Sequence, residues 1–273
     1  MIPKGRPFFK MSGSGNDFVV VDARTEAPGR LAEPTVIQSV CARGTGVGAD
    51  GIVFLENDPT AAIKLTYLNA DGTLAELCGN ATLCTTRLAV ELGVAEPTGF
   101  RIATTSGLVS ARLRDGMPEI DLQPVSVVEP DFQAIAASVG ERRIGFAEVG
   151  VPHLVILCED VEQVDVVGRG RPLRRHPSLR RGANVNFVGR SAGGDWRMRT
   201  YERGVEAETL ACGSGAVATA ILLAIWGFAD NPVALATSSG RQLRVKLAHQ
   251  ADDWIPSLAG EARIVYEGRL AEV

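Results

Sequence analysis

The feature that most constrains this chain is a pattern that occurs twice. In "LCGNATLCTTRLAVELG" (77–93), Cys78 is followed by Gly79 and Asn80 and then by an apolar helical pattern that stops at Gly93. In "LACGSGAVATAILLAIWG" (210–227), Cys212 is followed by Gly213 and Ser214 and a similar pattern that stops at Gly227. Each cysteine sits fifteen positions before its terminating glycine, so the two stretches superpose without a gap. Internal duplication is the simplest account, and a duplicated chain is expected to fold as two similar units.

The surrounding sequence supports that division. Short β-branched segments bounded by turn residues predict strands at 18–24, 51–56, 62–70, 100–113 and 118–124, with the helix after Cys78 between the third and fourth. The second half repeats the theme at 151–158, 184–190, 196–204, the helix after Cys212, 233–248 and 262–270. Each half reads as a mostly-β unit around one helix, an α/β (α+β) class. A boundary near residue 123, with "QPVSVVEPD" as the crossing linker, gives domains 1–123, carrying Cys78, and 124–261, carrying Cys212. The last strand, 262–273, is free to return to the first half.

Composition narrows the function classes. With 273 residues, 45% hydrophobic and 22% charged, the chain can bury a sizeable core. Net charge is −4, and the one basic run, "RGRPLRRHPSLRR" (169–181), is broken by proline and reads as a solvated surface loop, so no nucleic-acid partner is expected. The N-terminus lacks a signal-peptide h-region and the longest apolar run, around 215–226, is too short to span a bilayer. No membrane association is expected, and the cytoplasm is the expected compartment. Five scattered cysteines make an odd count without a C-x-x-C, and His153, His176 and His249 lie far apart, so neither a disulfide scaffold nor a metal site is expected. Cofactor motifs are absent: there is no P-loop, and "GSGND" lacks dinucleotide-loop spacing.

A cysteine is commonly a small buried hydrophobe, but two at two helix starts suggest chemistry. The first helical turn offers unpaired N–H groups and partial positive charge, which favour a thiolate and accept a carboxylate. The neighbouring glycine lets a ligand approach the backbone. Two such groups suit inversion at a carbon α to a carboxylate, where one thiolate removes the proton and a thiol on the far side returns one. Without a cofactor, helix-end N–H groups must stabilise the carbanion, and the site must exclude water.

These residues belong to motifs spread along the chain: "KMSGSGNDFVVVD" (10–22), "GVGADG" (46–51), "NADGTLAELCGN" (69–80), "PHLV" (152–155), "GANVNF" (182–187) and "ERGVEAETLACGSG" (202–215). In this order they closely resemble the diaminopimelate epimerase family, isomerases of lysine and cell-wall precursor biosynthesis that work without pyridoxal phosphate. The resemblance implies conversion of LL- to meso-diaminopimelate, with Cys78 and Cys212 as the base and acid pair. It also implies two pseudo-symmetric domains, each a β-barrel-like sheet around a central helix, and a homodimer is an option it raises. Matched position by position, Asn16, Asn69, Asn184, Glu202 and Arg203 line the substrate pocket. The backbones of Gly79, Asn80, Gly213 and Ser214 hold the carboxylate, and His153 stands beside the site. Arg203 offers a planar donor fork suited to a carboxylate, and Glu202 can accept from an ammonium.

The departures from the family pattern fall on substrate recognition. Val151 stands where the family often has Asn before Pro-His, and "CGNATLC" carries Ala81 and Leu83 where many members have glycine and arginine. Ser12 replaces a usual histidine, and the interval from Glu202 to Cys212 is one residue longer than in many members. The nearest alternative is therefore a related racemase of another amino acid, such as histidine. Proline racemases place His where this chain has Asn80, and isomerases of this fold with a carboxylate base lack the paired cysteines. From a different class, a thiol redox sensor accounts for the cysteines but not for the Asn, Glu and Arg residues, and a non-catalytic binding module is the remaining option.

Overall fold

The computed structural model describes residues 5–75 and 78–271. Two compact units emerge: one runs to Ile120 and resumes at Gly260, and the other spans Asp121–Ala259. The first contains β1 (Pro7–Gly13), β2 (Asn16–Asp22), α1 (Pro34–Cys41), β3 (Gly51–Glu56), β4 (Ile63–Asn69), α2 (Gly79–Glu91), β5 (Phe100–Thr104), β6 (Gly107–Arg114) and β7 (Met117–Asp121). The second contains β8 (Val128–Glu129), β9 (Glu141–Val149), β10 (Val151–Cys158), α3 (Val166–Arg174), β11 (Asn184–Arg190), β12 (Trp196–Glu202), β13 (Ala207–Thr209), α4 (Gly213–Ile225), β14 (Val233–Ala236), β15 (Gln242–Gln250) and β16 (Asp253–Gly260). The last strand, β17 (Ala262–Arg269), lies in the first unit, antiparallel to β1.

The units share one plan. β1 pairs antiparallel with β2, β2 parallel with β3, β3 antiparallel with β4 and β4 parallel with β5. The same relations link β9 to β10, β10 to β11, β11 to β12 and β12 to β14. Parallel neighbours cannot be joined by a tight turn. The crossover from β2 to β3 therefore carries α1, and that from β10 to β11 carries α3.

This corrects the reading of 169–181 as surface loop, because the segment is helical through Arg174. The Asp165 side chain accepts from the Gly168 N–H at 2.9 Å and caps the helix. Val166, Gly170 and Leu173 are buried at helical spacing. Arginines and Pro172 mask that spacing in the sequence; Pro172 lacks the N–H that would bond Gly168 O, and the helix ends two residues later at Arg174. Among the described residues each unit therefore holds two α-helices, not the expected one: an enclosed helix and a crossover helix. The expected strands 100–113 and 233–248 are each a hairpin, β5–β6 and β14–β15. β1, β9 and β16 had no clean apolar alternation to reveal them, being interrupted by Lys10, by Glu141 to Arg143 and by Pro256 respectively.

Strands covered on both faces read as continuous apolar runs, and β2 is the example. Phe18, Val19, Val20 and Val21 are all fully buried. Val19 and Val21 pack with Leu31, Ile37, Ile52 and Phe54 on the α1 side, while the alternate residues turn to the other face. There α2 is surrounded by β1, β2, β4, β6 and β17, and in the second unit α4 is surrounded by β9, β10, β11 and β15. A helix enclosed in this way must be buried nearly all round. Ile221, Leu222 and Leu223 of α4 are fully buried, each stabilising by roughly 1.5–3 kcal/mol. In α2, buried Thr82 and Thr86 donate their hydroxyls to the carbonyls of Cys78 and Thr82 at 2.9 and 2.8 Å, which satisfies them internally.

Both enclosed helices end alike. Gly93 and Gly227 take left-handed φ of 65° and 73°. Their N–H groups bond Val90 O and Ala224 O, and the next N–H groups, of Val94 and Phe228, bond Ala89 O and Leu223 O. These are Schellman ends, where only glycine adopts the required φ without cost.

Candidate active site

The helix starts are equally matched. Cys78 is the N-cap of α2 with φ/ψ of −124°/111°, and Cys212 is the N-cap of α4 with −134°/110°. The first intrahelical bonds, Thr82 N–H to Cys78 O and Ala216 N–H to Cys212 O, are both 2.9 Å. Neither start carries a side-chain cap. The N–H groups of Gly79 and Asn80, and of Gly213 and Ser214, therefore point out of the helix end with its partial positive charge. Such an end accepts a carboxylate.

Strand register extends the repeat to neighbouring residues. Gly51 of β3 faces Phe18 and Asn69, while Asn184 of β11 faces His153 and, one step beyond the Val185 to Tyr201 pair, Glu202. Phe18 and His153 are thus equivalent, as are Gly51 and Asn184, and Asn69 and Glu202. Two residues before Phe18 stands Asn16, and two before His153 stands Val151.

In the first unit a polar chain leads to the helix start. Asn80, 2% exposed, donates from Nδ2 to Asn16 Oδ1 at 2.6 Å, and Asn16 Nδ2 donates to Asp50 Oδ2 at 3.0 Å. Asp50 Oδ2 also accepts from the Asp17 N–H at 3.1 Å, and Asp50 Oδ1 from Arg43 at 2.7 Å. Asp17 is bound by Arg43 and by buried Lys10, each at 2.6 Å. Burial pushes the Asp17 carboxyl up, but the hydrogen bonds and charges of Arg43 and Lys10 outweigh it and hold Asp17 below the usual carboxylate range. A Cβ at Gly13 would lie 2.8 Å from Asn80 O and 3.0 Å from Cys84 Sγ, so this glycine lets the β1–β2 hairpin close onto α2. Asn69 is engaged in a local turn, its Nδ2 donating to Thr73 Oγ1 at 3.0 Å.

The second unit surrounds its helix start with buried neutral groups. Cys212 Sγ lies 3.7 Å from Ser214 Oγ. Asn186, fully buried, donates to Leu154 O at 2.9 Å and faces His153 Nδ1 at 3.3 Å, while its Oδ1 accepts from Thr200 at 3.0 Å. A Cβ at Gly215 would fall 2.3 Å from Asn186 Oδ1 and 3.2 Å from Cys212 Sγ. Burial, with the charge of Arg203 added, lowers the fully buried His153 to about 3, so the ring is neutral. Its Nδ1 accepts from Asn186, which puts the proton on Nε2, an atom without a hydrogen-bond partner among the described residues. Asn184 Oδ1 accepts from the Arg203 N–H at 2.7 Å, and Arg203 donates to Arg181 O at 3.1 Å. That ties Asn184 and the Glu202–Arg203 strand end into one support.

Of the expected residues, Asn16 and Asn80 join the start of α2 beside Cys78 and Gly79, while Asn69 is held in its own turn. In the second unit Gly213 and Ser214 follow Cys212 at the start of α4, His153 faces Asn186, which packs against Gly215, and Asn184, Glu202 and Arg203 meet where β11 and β12 pair. Asp50, Arg43, Asn186 and Thr200 were not singled out from sequence. Strand alternation, which puts Asn184 and Asn186 on one face of β11, is the signal that points to Asn186. None of the five cysteines forms a disulfide. Burial pushes Cys41 up to about 11 and Cys158 to about 12, and Cys84 well above the usual thiol range, which leaves those three as protonated packing residues. Among the described residues, no cluster of three or more His, Cys, Asp or Glu is placed to hold a metal, and no helix is long and apolar enough to cross a membrane.

Comparison with known proteins gives a consistent result. The sequence profile of the diaminopimelate epimerase family matches residues 8–128 and again 145–265. Diaminopimelate epimerase of Gemmatimonas aurantiaca is 48% identical, covering 97% of this chain and 99% of that protein. Diaminopimelate epimerase of Aquifex aeolicus is 38% identical over 97% and 98%. Among solved structures, a PhzF-family phenazine biosynthesis protein of Bacillus anthracis aligns with TM-score 0.76 at 15% identity, covering 98% of this chain and 100% of that one. A hydroxyproline epimerase of Agrobacterium vitis aligns with TM-score 0.66 at 20% identity, over 98% and 93%. These last two share the fold.

Proposed function

The chain belongs to the diaminopimelate epimerase family, and on that premise we propose that it converts LL- to meso-diaminopimelate with Cys78 and Cys212 as its acid–base pair. The observation that carries the two-thiol step is the repeated helix start: one cysteine, in one backbone conformation, at the N-cap of each enclosed helix. One thiolate takes the α-proton and becomes a thiol, and the electron pair moves toward the substrate carboxylate. The other cysteine, a thiol beforehand, returns a proton to the opposite face and ends as the thiolate. Nothing is consumed, and the two cysteines exchange roles for the reverse direction. The N–H groups of Gly79, Asn80, Gly213 and Ser214 stabilise the carbanion by holding the carboxylate.

In this proposal Glu202 accepts from an ammonium, Arg203 supplies a donor fork, and Asn16, Asn69 and Asn184 supply amides to the substrate. Neutral His153 stands beside them and donates through Nε2. Because the thiols must reach opposite faces of one carbon, oxidation is expected to join Cys78 to Cys212 and inactivate the enzyme. Both thiols still free by mass spectrometry in an oxidised, inactive sample would overturn that expectation. The proposal places the enzyme in the cytoplasm, where precursors of lysine and the cell wall are made, as a homodimer that light scattering would detect.

The deciding experiment is proton NMR of LL-diaminopimelate with the protein in deuterated water, with histidine and other amino acids in parallel. Loss of the α-proton signal with appearance of the meso form is the expected result. An inert diaminopimelate beside an exchanging histidine would keep the two-thiol chemistry and overturn the substrate, and Val151 would be the first residue to examine.

A further inference from the structure

We propose that Asp50 is a positioning residue that fixes the direction of a two-amide relay, through Asn16 to Asn80, and so makes Asn80 present an acceptor at the first turn of α2. The inference rests on the amino-acid substrate proposed above and deepens it by assigning, beside Glu202, a second ammonium acceptor at the reacting carbon.

An amide side chain has a donating end and an accepting end, and only its neighbours decide which faces where. An ionised carboxylate donates nothing. Asp50 Oδ2 is already shared between the Asp17 N–H and Asn16 Nδ2, and Asp50 Oδ1 is held by Arg43. Asn16 is thereby obliged to turn Nδ2 toward Asp50 and Oδ1 toward Asn80. Asn80 is obliged in turn to offer Nδ2 to Asn16, at 2.6 Å. What remains is Asn80 Oδ1, a buried oxygen on a side chain 2% exposed, with no hydrogen-bond partner among the described residues.

A buried acceptor left unmatched costs free energy comparable to a lost hydrogen bond, so native proteins seldom keep one without use. Its place is informative: Asn80 is two residues from Cys78, in the turn whose N–H groups suit a carboxylate. In an α-amino acid, carboxylate and ammonium share one carbon. Backbone donors and one side-chain acceptor in the same helical turn match that head group, whereas a flipped Asn80 would meet the ammonium with a second donor. The equivalent residue in α4, Ser214, carries a hydroxyl 3.7 Å from Cys212 Sγ and has no amide to orient, so the relay has no counterpart at that helix start.

The test is Asp50→Asn, which keeps the volume but can offer Asn16 either end of an amide. In ligand-free protein labelled with 15N on asparagine, the side-chain NH2 signals of both Asn16 and Asn80 are expected to shift, while those of remote Asn231 stay. In the unmodified protein, one Asn80 amide proton is expected to be protected from solvent exchange. Unmoved Asn80 signals in the variant, or an unprotected Asn80 amide in the parent, would overturn the relay. Neither readout requires turnover, so they stand apart from the question of substrate. In the epimerisation assay, kcat/KM per alkylatable thiol is expected to fall roughly 10- to 100-fold, mainly through KM, with partial recovery in Asp50→Glu. An unchanged kcat/KM beside a lowered melting temperature would assign Asp50 a purely structural role and overturn the positioning one.

Discussion

The two helix starts share a backbone and differ in everything that touches it. At Cys78 the supporting groups form a polar chain running outward to exposed Arg43. At Cys212 they are neutral and sealed: Asn186, Thr200 and His153 lie within the core. Duplication preserved what the backbone needs, which is an N-cap, two free N–H groups and a glycine end. It released the side chains around that frame, and the two halves adopted different solutions to holding a thiol. Equivalent positions now carry Asn16 and Val151, Asn69 and Glu202, Asn80 and Ser214. A reaction that takes a proton on one face and gives one on the other has no need for identical faces.

The largest expected effect tests what the halves share. Cys78→Ala and Cys212→Ala should each reduce inversion by roughly 100-fold or more, with melting temperature little changed; full activity in either would break the two-thiol equivalence. The remaining effects separate the halves. Gly215→Ala forces a Cβ against Asn186 Oδ1 at 2.3 Å and should destabilise by about 1–3 kcal/mol in urea titration. The mirror change, Ala81→Gly, meets no such wall and should cost only about 1 kcal/mol of helix propensity.

Acidification should loosen the second unit first. His153 gains a proton below about 6.5 when unfolded but stays neutral down to about 3 when folded. The unfolded state therefore binds the extra proton between those values, and stability falls with falling pH at up to about 1.4 kcal/mol per pH unit. Asp17, whose folded pKa lies below 3.8, contributes fully above that value and loses its contribution only as pH drops beneath it. Hydrogen exchange at pH 4.5 should show amides of β10 and β11 opening before those of β2 and β3, and His153→Gln should remove the difference. The smallest expected effect is a gain: Val151→Asn restores the amide that the repeat places opposite in kind to Asn16, and should lower KM for diaminopimelate by roughly fivefold.

Much of the frame was legible. Cys78 to Gly93 and Cys212 to Gly227 delimit both enclosed helices because caps are local chemistry, set by residues a few positions apart. The crossover helix α3 was hidden because its reason is not local: it exists to join parallel β10 and β11, while its own Arg and Pro content argues for solvent. The site divides the same way. Cys78, Asn80, Cys212 and Ser214 stand in the motifs themselves, whereas the direction of the Asn16 amide depends on a carboxylate 34 positions away, and no spacing rule reports which end of an amide faces it.

The pairing of β17 with β1 has a consequence for how the chain is made. Residues 121–259 form a continuous unit, complete once they leave the ribosome, but the first unit lacks a strand until Gly260 onward emerges. At typical synthesis rates that wait lasts on the order of ten seconds. During it β1 has an open edge beside the apolar faces of β2 and β3, a template for pairing with other nascent chains. Translation therefore holds the first-made unit incomplete until the second is almost finished. Slowing the ribosome between residues 120 and 260 should lower the soluble yield, whereas the same slowing before residue 50, ahead of β3, should not.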